Sequence, residues 1–335
     1  MNLRRYLLKK AVYVVLTVLL ISSVNFFIFQ VLPGDPTRVL LPKGGGSGNC
    51  TGSQTGGTSC SLRDELIAEW GLNQPVVRRY AIYMGNLLQG NLGTSITIRP
   101  GAPVTAIIFP VLSTTLVLVG LATIVTMWVG LVLGRISGWR RGSKTDVSIT
   151  MTTLLGYSMP SFWVSLLLVF LLAFLIPIFP RPIGIKQSPD FFVQTANTLY
   201  YYTLPILAFM ITNVAWFSLT LRNSLTDVLP EDYMVTAAAK GLNDRQQLRW
   251  HALPNARLPV VTASALYFGW VVSGVIVIET VFNINGFGLL TWTATLDQDY
   301  PVLSAVFLVA TIGVVIANAV ADILYMFLDP RVREA

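Results

Sequence analysis

Six long apolar runs constrain this chain more than any other feature of its sequence. A helix needs roughly 20 consecutive apolar residues to cross the hydrocarbon core of a bilayer, and each run is long enough. Because backbone polar groups cannot stay unpaired in lipid, such runs form helices. The sequence therefore predicts an all-α integral membrane protein with six transmembrane helices, over Ala11–Leu32, Val111–Gly134, Met159–Phe179, Leu199–Leu221, Pro259–Ile278 and Val302–Phe327.

The composition agrees with this fold class. Of the 335 residues, 53% are apolar and only 12% are charged, whereas soluble domains usually carry about 25% charged residues. The third run has the least defined start, because Ser148–Ser158 is moderately apolar and Pro160 interrupts the pattern. One long kinked helix is therefore an alternative at this place.

The distribution of basic residues predicts the orientation. Six spans put both termini on one side, together with residues 135–146 and 222–257. These segments hold roughly two thirds of the Lys and Arg residues, an excess that marks the cytoplasmic side. We therefore predict a multi-pass protein of the cell (plasma or inner) membrane with both termini in the cytoplasm. The net charge of +7 then fits a membrane surface, and no nucleic-acid partner is expected.

This topology divides the chain into three segments. Residues 1–32 form the cytoplasmic tip and the first transmembrane helix, residues 33–110 an external loop, and residues 111–335 a core of five transmembrane helices with a cytoplasmic loop at 229–257. Helical periodicity over Leu62–Gln89 predicts a surface helix in the external loop. That helix is either a small cap that docks an external partner or a solvated connector.

The external loop also contains a Gly/Ser-rich insert between Lys43 and Cys60. It holds both cysteines of the chain, Cys50 and Cys60. Because external compartments favour oxidation, this pair is a candidate disulfide. Two cysteines and the single histidine, His251, do not provide a disulfide-rich scaffold, a zinc knuckle or a multi-histidine metal site.

The sequence of the cytoplasmic loop Leu229–Val260 predicts two short helices joined by a sharp turn. Pro230 suits the first position of a helix, and Gly241 suits a left-handed C-terminal cap. Asn243, followed three residues later by Gln246, predicts a capping box that starts the second helix.

Two further features complete the prediction for this loop. Pro254 is expected to end the second helix, since proline lacks the backbone donor that a helix requires. Three consecutive alanines, Ala237–Ala239, predict a smooth surface that allows close approach of another protein.

The same loop resembles the EAA-loop pattern of binding-protein-dependent ABC importer permeases, E-A-A-x3-G-x9-I-x-L-P. Ala237, Gly241 and Leu253-Pro254 match it, whereas Val235, Thr236 and His251 depart from it. The sequence pattern DY-x-x-T-A-x-A-K-G-L is similar to that of the dipeptide/oligopeptide branch of this family. Other segments resemble the same branch in the same order, namely LPGDP at 32–36, GLNQP at 71–75, GNLLQGNLGTS at 85–95, PSFW at 160–163, ETVFNINGFG at 279–288, DYP at 299–301 and LDPRVR at 328–333.

The resemblance implies the fold of a type I importer permease that forms half of the pathway for peptides. Its implied partners are a homologous second permease, two ATPase subunits, an external solute-binding protein and the lipid bilayer. ATP and Mg would be bound by the ATPase subunits, so no cofactor is expected in this chain. The residues implied in coupling to the ATPase are Asp232, Tyr233, Thr236, Ala237, Ala238, Ala239, Lys240, Gly241, His251, Leu253 and Pro254. Oligosaccharides, nickel and glutathione remain alternative substrates.

An enzyme and an ion-coupled secondary transporter are the rival classes. The stretch Gly138–Thr145 nearly matches the pattern of a phosphate-binding loop, but Ser143 occupies the position where that pattern requires glycine. A basic cytoplasmic turn is the simpler interpretation, and we predict a non-catalytic subunit. Ion-coupled carriers usually bury charges at mid-membrane, but Glu279 and Asp322 lie near the ends of predicted spans.

Glu279 carries a separate prediction. A buried carboxylate needs hydrogen-bond donors, and the loop Asn283–Gly288 follows it closely in the chain. We expect Glu279 to anchor this loop at the outer gate, together with Asn283, Gly286 and Gly288.

Overall fold

The computed structural model describes residues 3–31, 74–257, 259–260, 264, 267 and 276–328. The Gly/Ser-rich insert, the candidate disulfide Cys50–Cys60 and most of the fifth apolar run lie outside these residues. Within the described part the chain is helical, and its one β-bridge joins Thr94 to Pro103. The helices are α1 Leu3–Val31, α2 Val76–Leu88, α3 Val104–Trp139, α4 Lys144–Ser158, α5 Ser161–Val169, α6 Phe191–Val228, α7 Asp232–Ala239, α8 Asp244–Gln247, α9 Ile276–Val281, α10 Phe287–Leu296 and α11 Tyr300–Leu328.

Four described helices are long and apolar enough to cross a membrane, at Leu8–Phe29, Val104–Trp139, Phe191–Val228 and Tyr300–Val320. A bent pair, α4 with α5 and its π-helical continuation to Leu175, would make a fifth. The chain is therefore a helical protein with several candidate spans. The number six stays a prediction, because the fifth apolar run lies mostly outside the described residues.

The third apolar run differs from its prediction. Helical structure begins at Lys144 rather than Met159, and the two helices meet at an angle of 97° instead of forming one kinked helix. Met159 and Pro160 are both extended at the junction. The residue before a proline is driven out of the helical region by the proline ring, so the helix breaks at Met159.

The chain divides into two compact units. The first contains residues 113–289 with the two chain ends, and the second contains residues 15–112 and 290–312. In the first unit, α3 carries glycines at 130, 134 and 138 where it packs on α6. A Cβ on Gly130 would lie 2.6 Å from the Cβ of Phe217, and one on Gly134 would overlap the carbonyl oxygen of Ser218. Small residues at this spacing let two membrane helices approach at backbone contact.

Candidate functional site

The segment after α6 forms the helix–turn–helix that its sequence predicts, but with a different start. Helix α7 begins at Asp232, with Glu231 as its N-cap. Pro230 is therefore not a first helical residue: Leu229 still bonds to Leu225 as the C-cap of α6, and Pro230 follows it. The reason is the missing N–H of proline, which removes the next hydrogen bond of α6 and stops that helix.

The joint between α7 and α8 confirms both predicted caps. Gly241 has a φ of +76°, and its N–H donates to the carbonyl of Ala238 at 2.9 Å. A Cβ on Gly241 would meet no atom within 4 Å, so the left-handed backbone alone favours glycine here. Asn243 and Gln246 exchange side-chain to backbone hydrogen bonds of 3.0 Å, which is a complete capping box.

Pro254 does not end the second helix, contrary to its prediction. The chain stays helical at residues 253–257, and the turn just before it, Leu248–Ala252, is π-helical. A proline in an α-helix leaves one carbonyl unpaired and its ring clashes with the carbonyl four residues earlier. The wider π turn moves that carbonyl away, and the helix continues past the proline.

The predicted alanine surface is only partly exposed. Ala237 is 2% exposed and faces inward beside Met234, while Ala238 and Ala239 are exposed. The reason is the helical period, which turns one of three consecutive residues toward the protein. Of the other residues implied in coupling, Asp232, Tyr233, Thr236, Lys240 and Gly241 are exposed, and His251, Leu253 and Pro254 are partly buried.

Two large apolar side chains join this surface. Val235 is 64% exposed and Trp250 is 57% exposed. In the sequence, Val235 stands out only as a departure from the EAA-loop pattern, and exposure of Trp250 was not predicted. The available signal was the helical period, which places Val235 on the same face of α7 as Ala238 and Ala239, three and four residues later.

Polar contacts of α6 anchor the end of this loop and the neighbouring helix α4. Ser224 on α6 donates to the carbonyl of Ala256 at 2.9 Å. Two residues before it, Arg222 makes a bidentate ion pair with Asp146 of α4, at 2.6 and 2.8 Å. Asp146 is 2% exposed and also accepts from the N–H of Gly142 at 2.9 Å. Sequence reasoning missed this pair, because the partners belong to separate segments.

Glu279 has the contacts expected of a loop anchor. It is fully buried and accepts from the hydroxyl of Thr115 at 2.6 Å and from the N–H of Gly288 at 2.7 Å. A Cβ on Gly286 would lie 2.5 Å from its carboxyl carbon, so glycine is needed for the loop to pass this close. Asn283 lies in the same loop with a φ of +50°, and its N–H donates to the carbonyl of Thr280 at 3.2 Å.

A second buried carboxylate, Asp299, was missed as a site. It is fully buried and accepts from the Ser95 hydroxyl at 2.6 Å and from the N–H groups of Ile96, Thr97 and Ile98 at 3.0–3.1 Å. Burial raises the pKa of Asp299, but these donors outweigh it and leave the pKa below its ordinary value. The sequence signal for this contact was the pair of family-like segments GTS and DYP, which contain Ser95 and Asp299.

These features define a multi-pass helical membrane protein, with an exposed helix–turn–helix after α6 and two loops held by buried carboxylates. The chain belongs to the family of binding-protein-dependent transport system inner membrane components. The family model matches residues 130–334, and the model of the family's N-terminal part matches residues 3–109. The predicted resemblance is thereby confirmed.

Individual relatives match along nearly the whole chain. The oligopeptide transport system permease protein AppB of Bacillus subtilis is 32% identical over 98% of this chain and 99% of its own length. A probable peptide ABC transporter permease of Sinorhizobium fredii is 29% identical over 98% of this chain and 99% of its own length. A putative peptide permease of Brucella ovis is 32% identical over 99% of this chain and 98% of its own length.

Proposed function

We propose that this chain is a permease subunit of an ATP-driven, binding-protein-dependent importer and forms half of a translocation pathway for peptides. The observation that carries the proposal is the match to relatives named as peptide or oligopeptide permeases over nearly their whole length. Oligosaccharides, nickel and glutathione are alternative substrates for the same architecture, and those names favour peptides. Membership of a binding-protein-dependent family argues against an ion-coupled secondary transporter.

The proposed assembly contains a homologous second permease, two ATPase subunits that bind ATP and Mg, and an external solute-binding protein. In this assembly the present chain is non-catalytic, has six spans and keeps both termini in the cytoplasm. The exposed basic residues Lys240, Arg245 and Arg249 lie together in the loop after α6 and support a cytoplasmic position for it.

Helix α7 is the proposed coupling helix that docks on an ATPase subunit. Its outward face carries two exposed small residues, Ala238 and Ala239, which allow another backbone to come close. Tyr233 and Val235 add exposed apolar area at 37% and 64% exposure, and burial of such area is favourable in an interface. The fastening of this loop to α6 makes α7 suited to transmit a movement of the ATPase to the membrane helices.

The loop between α9 and α10 is proposed as part of the outer gate. Glu279 on α9 accepts from the N–H groups of Gly288 and Leu289 in the first turn of α10, so the two helix ends that flank the loop are held together. Two of the donors to Glu279 are backbone N–H groups, so the end of the loop is positioned through the main chain.

The test is peptide-stimulated ATP hydrolysis and peptide uptake by the reconstituted complex with Ala238→Asp and Gly241→Val. The first variant adds a charge that must be desolvated on docking, and the second strains the left-handed cap by about 1 kcal/mol or more. Both should abolish stimulation and uptake, while membrane insertion stays normal. Ala238→Ser is the matched control and should retain both activities. Normal stimulation in Ala238→Asp and Gly241→Val, at normal expression, would contradict the coupling role.

A further inference from the structure

We propose that helix α2 (Val76–Leu88) is an interfacial helix that lies in the bilayer leaflet at the C-terminal end of α1. In this position an apolar row, the α2 stripe, contacts phospholipid acyl chains, and Arg78 reaches an anionic headgroup phosphate. The α2 stripe consists of Val77, Ala81, Met84 and Leu88. This inference goes beyond the transport function and does not depend on the identity of the substrate.

The contacts of α2 with α1 set its depth. The hydroxyls of Tyr80 and Ser23 are hydrogen bonded at 2.7 Å, and Asn25 donates to the hydroxyl of Tyr83 at 3.1 Å. The apolar span of α1 extends to Phe29, roughly four to six residues beyond these contacts. At the helical rise of 1.5 Å per residue, α2 lies about 6–9 Å inside the end of that span. Interfacial helices are buried by about 5–10 Å.

A second span, joined to the same Asn25, gives a similar depth. The side chain of Asn25 also donates to the carbonyl and the hydroxyl of Ser304 on α11, at 3.0 and 2.9 Å. The apolar span of α11 begins at Tyr300, so this contact lies about 6 Å inside its end. By the length and composition of these two spans, the layer that contains α2 lies just inside the end of the apolar region, which supports a lipid surrounding.

The two faces of α2 differ as an interfacial position requires. Tyr80 and Tyr83 face α1 and are partly buried, with Tyr80 packed edge-on against the ring of Phe26. On another face, Val77 and Leu88 are each 80% exposed. The stripe spacing of four, three and four residues keeps its members on one face of a helix. Burial of apolar area is favourable, so an apolar stripe that the protein leaves exposed indicates an apolar surrounding.

The stripe continues the lipid-facing surface of α1. Leu20, Val24 and Phe27 form an exposed apolar row on α1, at 66%, 49% and 54% exposure. The ring of Phe27 stacks on Tyr80, with 6.3 Å between centroids. Lipid that covers this row of α1 therefore reaches α2 as well.

Charge favours a phospholipid as the occupant. Helix α2 contains Arg78 and Arg79 and no acidic residue, and Arg78 is exposed next to the stripe. An arginine side chain can extend its apolar stem along the stripe and place its guanidinium at the level of the phosphates. Basic residues beside an apolar face are typical of helices that bind anionic interfaces.

The experiment uses nitroxide labels on the full complex in nanodiscs. Cys50→Ser and Cys60→Ser remove the native cysteines. Single cysteines then replace Val77, Leu88 and, as the matched control, exposed Asn86 on the opposite face. Oxygen partitions into lipid, while a nickel chelate stays in water. The labels at 77 and 88 should relax several-fold more with oxygen relative to the chelate than the label at 86.

Three outcomes would overturn the proposal. Equal access of the nickel chelate to all three labels would place the stripe in water. Protection of the labels at 77 and 88 from both reagents would mean that protein covers the stripe. Protection that appears only after the solute-binding protein is added would make the stripe a docking surface.

A second arm tests the lipid charge. Exchange of phosphatidylcholine for phosphatidylglycerol should increase oxygen access at position 77 in the protein with Arg78 but not in Arg78→Gln. No increase with Arg78 present would contradict its role. An increase that persists in this variant would contradict the role of Arg78. Neither arm reads transport, so failure here is distinguishable from failure of the proposed function.

Discussion

Replacement of Asp299 by asparagine tests how strongly a buried carboxylate holds the loop before α3. Three backbone N–H groups and the hydroxyl of Ser95 converge on one carboxylate oxygen. An asparagine oxygen in that place keeps these donors but loses the charge, and charge-assisted hydrogen bonds are roughly twice as strong as neutral ones. Its amide nitrogen would then face the N–H groups of Ile96 and Val302, which now contact the other oxygen at 3.3 and 3.4 Å. We expect a loss of about 2–4 kcal/mol in local stability.

The pH dependence of this contribution follows from the lowered pKa of Asp299. A group whose pKa is lower in the folded protein contributes stability that is fully present above its unfolded pKa, and that is lost as the pH falls through its folded pKa. The contribution is therefore complete at neutral pH. It declines only below the ordinary value of 3.8. The difference between the wild-type protein and Asp299→Asn should shrink in the same acid range.

The assay is amide hydrogen exchange of the purified complex at neutral pH. A loss of 2–4 kcal/mol corresponds to exchange about 30- to 1,000-fold faster at Ile96–Ile98. Asp297→Asn is the matched control, since that aspartate is exposed two residues away. Unchanged exchange at these amides in Asp299→Asn would refute the reasoning, as would an equal increase in the control.

Three further predictions concern the packing, the ion pair and the topology. Gly134→Ala should cost about 1–3 kcal/mol by overpacking against α6 and lower the melting midpoint in detergent, whereas Gly120→Ala, where a Cβ meets nothing within 4 Å, should not. Asp146→Asn should cost about 1–3 kcal/mol, because its guanidinium partner loses its counter-charge but stays partly solvated; an unchanged midpoint would contradict this. A cysteine at exposed Lys240 should react with thiol reagents only after the membrane is opened, and one at exposed Gln187 should react from outside; the reverse pattern would exclude the proposed orientation.

The sequence determined the class of the fold and its local joints. Apolar runs of spanning length force helices, because lipid offers no hydrogen-bond partner to the backbone. The capping box at Asn243 and the left-handed Gly241 were predictable for a similar reason, since each depends on residues that are neighbours in the chain. The segments that carry the family resemblance were also readable without a structure, and they were sufficient to predict the family.

The tertiary structure decided what depends on distant neighbours. The helical period turns one of the three alanines inward, but the choice of Ala237 depends on how α7 packs, and a local pattern cannot specify this. The partners of Asp299 lie about 200 residues earlier in the chain, and Thr115 lies 164 residues before Glu279. A sequence indicates that a buried carboxylate needs donors, but the helices must pack before backbone N–H groups converge on it.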